Sequence, residues 1–104
     1  MWLAEAGANK VEIFEVLLAS TEAFSNAVEH AQKPTRPVVE IRGSITDHAV
    51  SISIRDYGTW ANGQTRKNGG GMGLPIIERL MDAVHVERLL DGTTVTMRRR
   101  LGMH

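Results

Sequence analysis

Residues 50–55 read Val-Ser-Ile-Ser-Ile-Arg, a strict alternation of branched apolar and polar side chains. Successive side chains on a strand point to opposite faces, so this segment demands a sheet with one dry face and one wet face. The pattern recurs: Val39 and Ile41 alternate with Glu40 and Arg42, and Val84, Val86 and an Asp91-Gly92 turn lead into Val95 and Met97 alternating with Thr94, Thr96 and Arg98. Residues 43–48 are expected to join the first two strands as a hairpin. Two half-dry hairpins need an apolar cover, and helical stretches supply it. Asn9 followed by Glu12 approximates a capping box, and Phe14, Leu17, Leu18, Phe24 and Val28 recur at helical spacing until Pro34 forbids continuation. One long helix is therefore expected over residues 10–31. Leu74, Ile77, Leu80 and Met81 mark a shorter one, with Pro75 tolerated in its first turn. Residues 2–7 read as the last turns of another helix stopped by glycine. The predicted fold class is α+β: a two-layer α/β sandwich with helices on one face of a mostly antiparallel sheet.

The chain has 104 residues, which suits one domain over 1–104. Twelve basic and twelve acidic side chains cancel, and the only long single-sign run, Arg98-Arg99-Arg100, reads first as a solvated strand end. A direct nucleic-acid partner is therefore not indicated. No cysteine is present, which excludes a disulfide framework and a thiolate metal site. No apolar run approaches the ~20 residues that span a bilayer, and residues 1–7 lack the regions of a signal peptide. The expectation is a cytoplasmic protein with no membrane partner.

Within the long helix, Glu22, Asn26 and His30 are spaced four apart and stack on one face. A carboxylate and a carboxamide so aligned suit a general base and a metal ligand, although such a pair is more often a solvated stripe. Asp56 closes the second strand and Gly58 follows in a turn, so the carboxylate can project from the strand end and accept from an exocyclic amine. Residues 57–71 lose the apolar period and read as a loop. Its end, Gly69-Gly70-Gly71-Met72-Gly73-Leu74, leads into a helix start where free N–H groups favour phosphate, although a lone glycine cluster is more often only a flexible hinge. It is not a Walker loop, since no Lys-Ser/Thr follows, and no βαβ unit surrounds it as a dinucleotide fingerprint requires.

These pieces resemble a family. Residues 22–31 (EAFSNAVEHA) resemble the N box, Asp56-Tyr57-Gly58 the first glycine box, Gly71-Met72-Gly73-Leu74 the second, and Gly92-Thr93-Thr94-Val95 the closing Gly-Thr strand of the histidine-kinase-like (GHKL, Bergerat-fold) ATPases. The compact single domain, the Glu-to-Asn spacing followed by His-Ala, and the short lid most resemble the anti-sigma-factor serine/threonine kinases. The resemblance implies ATP and Mg²⁺ as cofactors. It makes Asn26 the Mg²⁺ ligand, Glu22 the base for the attacking hydroxyl and Asp56 the acceptor for the adenine amino group. Gly58 would let the base sit against the turn, Gly71, Met72, Gly73 and Leu74 would surround the phosphates, and Thr93 would support Asp56. His30 reads as a ribose or phosphate contact or, preferably, as a helix-end cation, and Arg66 and Lys67 as lid cations facing the γ-phosphate or plain solvent.

Three departures from the family pattern shape the functional expectation. Trp60 stands where many members have a second glycine, and packs over the nucleotide or anchors the lid. A Phe-rich lid motif and an upstream phosphoacceptor histidine are absent, which argues against a sensor histidine kinase. The sequence also starts inside what the pattern makes the first helix, so it reads as a piece of a longer chain whose N-terminal strand is missing. The sheet edge thus bared invites pairing with a second copy, hence a homodimer. The implied function is an ATP-dependent serine/threonine kinase that phosphorylates a STAS-type anti-anti-sigma protein and sequesters a sigma factor, which links it to transcription regulation, partner switching and stress response. The competing readings are a non-catalytic ATP-binding regulatory interaction module of a multidomain signalling protein, and a fold whose nucleotide pocket has lapsed.

Overall fold

The computed structural model describes residues 2–32, 34, 36–60 and 74–102. Helix α1 (Trp2–Glu5) ends at Gly7, whose φ of 98° lies where a side chain would be strained. Asn9 then caps α2 (Lys10–His30). Its Oδ1 accepts from the Glu12 N–H at 2.8 Å, and Glu12 Oε1 accepts from the Asn9 N–H at 3.0 Å, which completes the capping box. The helix is one residue shorter than the sequence pattern suggests, because Ala31 turns extended and opens strand β1 (Ala31–Gln32).

Strands β2 (Glu40–Thr46) and β3 (Ala49–Asp56) form the first hairpin. Its connection is shorter than expected. Residues 43–46 belong to β2, and Asp47 and His48 alone turn the chain, both at positive φ (51° and 60°), as a tight two-residue hairpin turn requires. Gly43 fits inside the strand because the Trp2 ring lies over it: a β-carbon there would stand 3.0 Å from the ring. A two-residue strand, β4 (Thr59–Trp60), pairs back onto β1, in a stretch the sequence marked only as loop. Helix α3 (Leu74–Leu80) follows as expected, and then β5 (Ala83–Leu89) and β6 (Gly92–Arg100), with the turn at Leu90 and Asp91 and Gly92 already in the strand.

The main sheet runs β2-β3-β6-β5, antiparallel throughout. Its dry face carries Val50, Ile52, Ile54, Val95 and Met97, as the alternation predicts, and packs with Val16, Ala19, Ala23 and Ala27 of α2 and Ile77 of α3. The helix buries the opposite selection from the one that advertised it. Phe14, Leu17, Leu18, Phe24 and Val28 are all exposed, Phe14 by 64%. Alanines at 19, 23 and 27 let the helix lie close to the sheet, where longer side chains would hold it off. The consequence for function is position: Glu22 and Asn26 ride on a helix seated by small side chains.

Candidate functional site

Asp56 is the last residue of β3 and is 98% buried. Its Oδ1 accepts from the Gly58 N–H at 3.1 Å and from the Thr93 N–H at 3.3 Å. The first bond is local and folds the chain into the turn. The second comes from the neighbouring strand, where Thr93 stands opposite Asp56 in register. Gly92 makes that approach possible: a β-carbon there would run into the Asp56 carbonyl oxygen and stand 3.2 Å from the Tyr57 Cα. Two backbone donors on one carboxylate oxygen hold the group fixed.

Beside Asp56 opens a cavity of about 500 Å³. Phe24, Ala27, Val28 and Ala31 of α2 line one side, Pro34 and residues 36–39 of the following connection another, and Asp56 and Tyr57 the sheet end. An apolar cleft of this size with one fixed acceptor in its wall suits a flat ring that presents a donor edge.

Glu22 and Asn26 do not line this cavity. They occupy the next flank of α2, since one residue of helix, about 100°, separates Asn26 from Ala27. Glu22 is half-buried, and Asn26 is 95% buried. The Asn26 Nδ2 finds no hydrogen-bond partner among the described residues. An unsatisfied buried amide costs about 1–3 kcal/mol, a penalty that a bound polar group would lift. Among the described residues no three His, Asp or Glu side chains gather to hold a metal. Mg²⁺ needs no such cage, because one or two protein oxygens with water and phosphate complete its octahedron. The unpartnered Nδ2 suits a phosphate oxygen, and the carboxamide oxygen is the atom that suits Mg²⁺, so Asn26 and the fixed carboxylate fit an ATP–Mg²⁺ complex.

The structure brings together Asp56, Gly58 and Thr93 through hydrogen bonds to one carboxylate oxygen, and places Glu22 and Asn26 on α2, whose Phe24, Ala27 and Val28 wall the cavity beside Asp56. Gly71, Met72 and Gly73, with Arg66 and Lys67, lie outside the described residues, as do the side chains of His30, Trp60 and Leu74. Sequence reasoning passed over one cluster. The Arg36 and Arg55 guanidinium carbons lie 4.7 and 4.5 Å from the centre of the Tyr57 ring. Glu40 stands 3.8 Å from Arg36, and Asp91 3.2 Å from Arg55. Burial lowers the Arg55 pKa, but its contacts with Tyr57 and Asp91 outweigh this and raise it above the ordinary arginine value. No periodicity signals such a cluster, because its members come from three separate segments.

The histidine kinase-like ATPase domain family matches residues 1–99. The serine-protein kinase RsbW of Staphylococcus aureus, in strains JH9 and Newman, is 32% identical over 111 residues, which cover 90% of this chain and 69% of the relative. Among solved structures, the Erythrobacter litoralis EL346 blue-light activated histidine kinase superimposes with a TM-score of 0.78 at 22% identity. That likeness covers 93% of this chain and speaks for the fold, and the chain spans 33% of the length of that protein.

Proposed function

Because the chain belongs to the histidine kinase-like ATPase family, we propose that it is an ATP- and Mg²⁺-dependent serine/threonine protein kinase of the anti-sigma type. The observation that carries this is the fixed Asp56 carboxylate in the wall of a ligand-sized cavity, with the unpartnered Asn26 Nδ2 on the neighbouring flank of α2 beside it as support. Asp56 receives the amino edge of adenine, Gly58 leaves room for the ring, and Thr93 keeps the carboxylate turned to it. Asn26 offers its carboxamide oxygen to Mg²⁺, which when bound neutralises phosphate charge. Glu22, one turn away on the same helix, takes the proton of a substrate serine or threonine hydroxyl as its oxygen bonds to the γ-phosphorus and ADP departs. Gly71, Met72, Gly73 and Leu74 supply backbone N–H groups to the phosphates in this reading.

The substrate is a STAS-type anti-anti-sigma protein and the other partner a sigma factor, in the cytoplasm. This follows the similarity to a serine-protein kinase, of which the chain spans about two thirds. Strand β2, an outer strand of the described sheet, offers the homodimer its edge.

Calorimetry with ATP and Mg²⁺, followed by transfer of labelled γ-phosphate to a serine-bearing anti-anti-sigma protein, tests the proposal. Glu22→Ala keeps ATP affinity and lowers transfer by at least about 10²-fold. Undiminished transfer in that variant removes the base. ATP binding by the wild type with no transfer at all makes the protein a nucleotide-dependent binding module.

A further inference from the structure

Three separate segments meet at the Asp56 corner. Pro34 and residues 36–39 wall the cavity, residues 56–58 carry the acceptor and its turn, and residues 91–93 bring the second N–H to it. One line of side chains crosses all three: Glu40 to Arg36, Arg36 and Arg55 both against Tyr57, and Arg55 to Asp91. Asp91 directly precedes Gly92 and Thr93, so the line ends one residue from the glycine that abuts the Asp56 carbonyl. Tyr57 directly follows Asp56 and is half-buried between the cavity and a second groove on the open face of the sheet, which Glu40, Arg42, Ser53, Arg55 and Thr94 line with it.

We infer that Tyr57, clasped by Arg36 and Arg55, is a positioning residue for nucleotide binding. It fixes the Asp56 carboxylate by pinning the connection, the strand end and the closing turn to one ring. The inference rests on the proposed ATP site, and its physical basis is general. A guanidinium over an aromatic face is attracted by the ring's negative face, and less weakly than a solvated ion pair when partly shielded from water. The outer carboxylates restrain the two arginines, Arg55 also hydrogen-bonds the Tyr57 side chain, and the ring face is the member both arginines share. Arg55 and Asp91 line no part of the cavity beside Asp56, so they act through Tyr57.

Two measurements on the intact chain test this. Without nucleotide, hydrogen exchange at the Gly58 and Thr93 amides reads how firmly Asp56 is held. Tyr57→Leu speeds both by about tenfold, and Tyr57→Phe, which keeps the ring face, leaves them near wild type. With ATP, Tyr57→Leu raises the Kd and KM about tenfold while kcat at saturation stays within about twofold, and Tyr57→Phe restores affinity. Unchanged exchange in Tyr57→Leu, or a Phe variant as impaired as Leu, overturns the inference. A wild type that binds no ATP overturns the proposed function instead, and the exchange data then decide the role of Tyr57 alone.

Discussion

The two ends of the site are finished to different degrees. At Asp56, the acceptor holds two backbone N–H groups, a glycine is cut away to admit the neighbouring strand, and three segments converge on one carboxylate. At Asn26, on the adjacent flank of α2, a side chain buried just as deeply keeps an amide nitrogen with no partner among the described residues. One end is assembled by the fold, and the other keeps a donor that a ligand can engage. Preorganisation lowers the cost of binding where the ligand is rigid, as a purine ring is. Incompleteness couples binding to order where the ligand brings its own ion and charge.

The difference can be broken or sharpened by substitution. Gly92→Ala strikes the assembled end hardest, since its β-carbon meets backbone rather than a flexible side chain. A loss of about 2–4 kcal/mol is expected, read as a drop in thermal midpoint together with lost ATP affinity. A variant that melts with the wild type would mean that the corner is not tightly closed. Asp56→Asn comes next: the fold persists, but a carboxamide offers the adenine amino group a poorer acceptor, and the ATP Kd rises about 10–100-fold by calorimetry. Asn26→Leu is the smallest effect and the most telling. Replacing an unsatisfied buried amide by an apolar group of similar size leaves the ATP-free protein unchanged or up to about 1 kcal/mol more stable, while the Mg²⁺-dependent part of nucleotide affinity disappears. Destabilisation of the ATP-free form would show that Asn26 is satisfied by the fold after all.

The assembled end was also the more legible one. Alternation placed Val50, Ile52 and Ile54 on the dry face and Asp56 at the strand end, because a period of two leaves a strand no other choice. The capping box at Asn9 and Glu12 was readable for the same reason, as a local arrangement with local chemistry. Where the reading slipped, the deciding contacts were distant. The helix was recognised by Phe14, Leu17 and Leu18, yet its seat is made by alanines, and only the sheet opposite decides which stripe is buried. The hairpin turn is only Asp47 and His48, and Gly43 lies inside the strand, where the Trp2 ring, some forty residues earlier in the chain, covers it. The Tyr57 cluster draws on three segments and leaves no trace as a whole in any one window of sequence.

Beyond its role in the capping box, Glu12 has a second task. Its two carboxylate oxygens also accept from the Gly102 N–H, at 3.2 and 3.1 Å, and the Leu101 N–H donates to the His48 carbonyl at 2.7 Å. Contacts spanning 90 residues draw the start of α2 and the tail of β6 together. Topologically, the described chain is almost a ring. The seam of that ring gathers the cap of α2, the first hairpin turn and the end of β6 in one place.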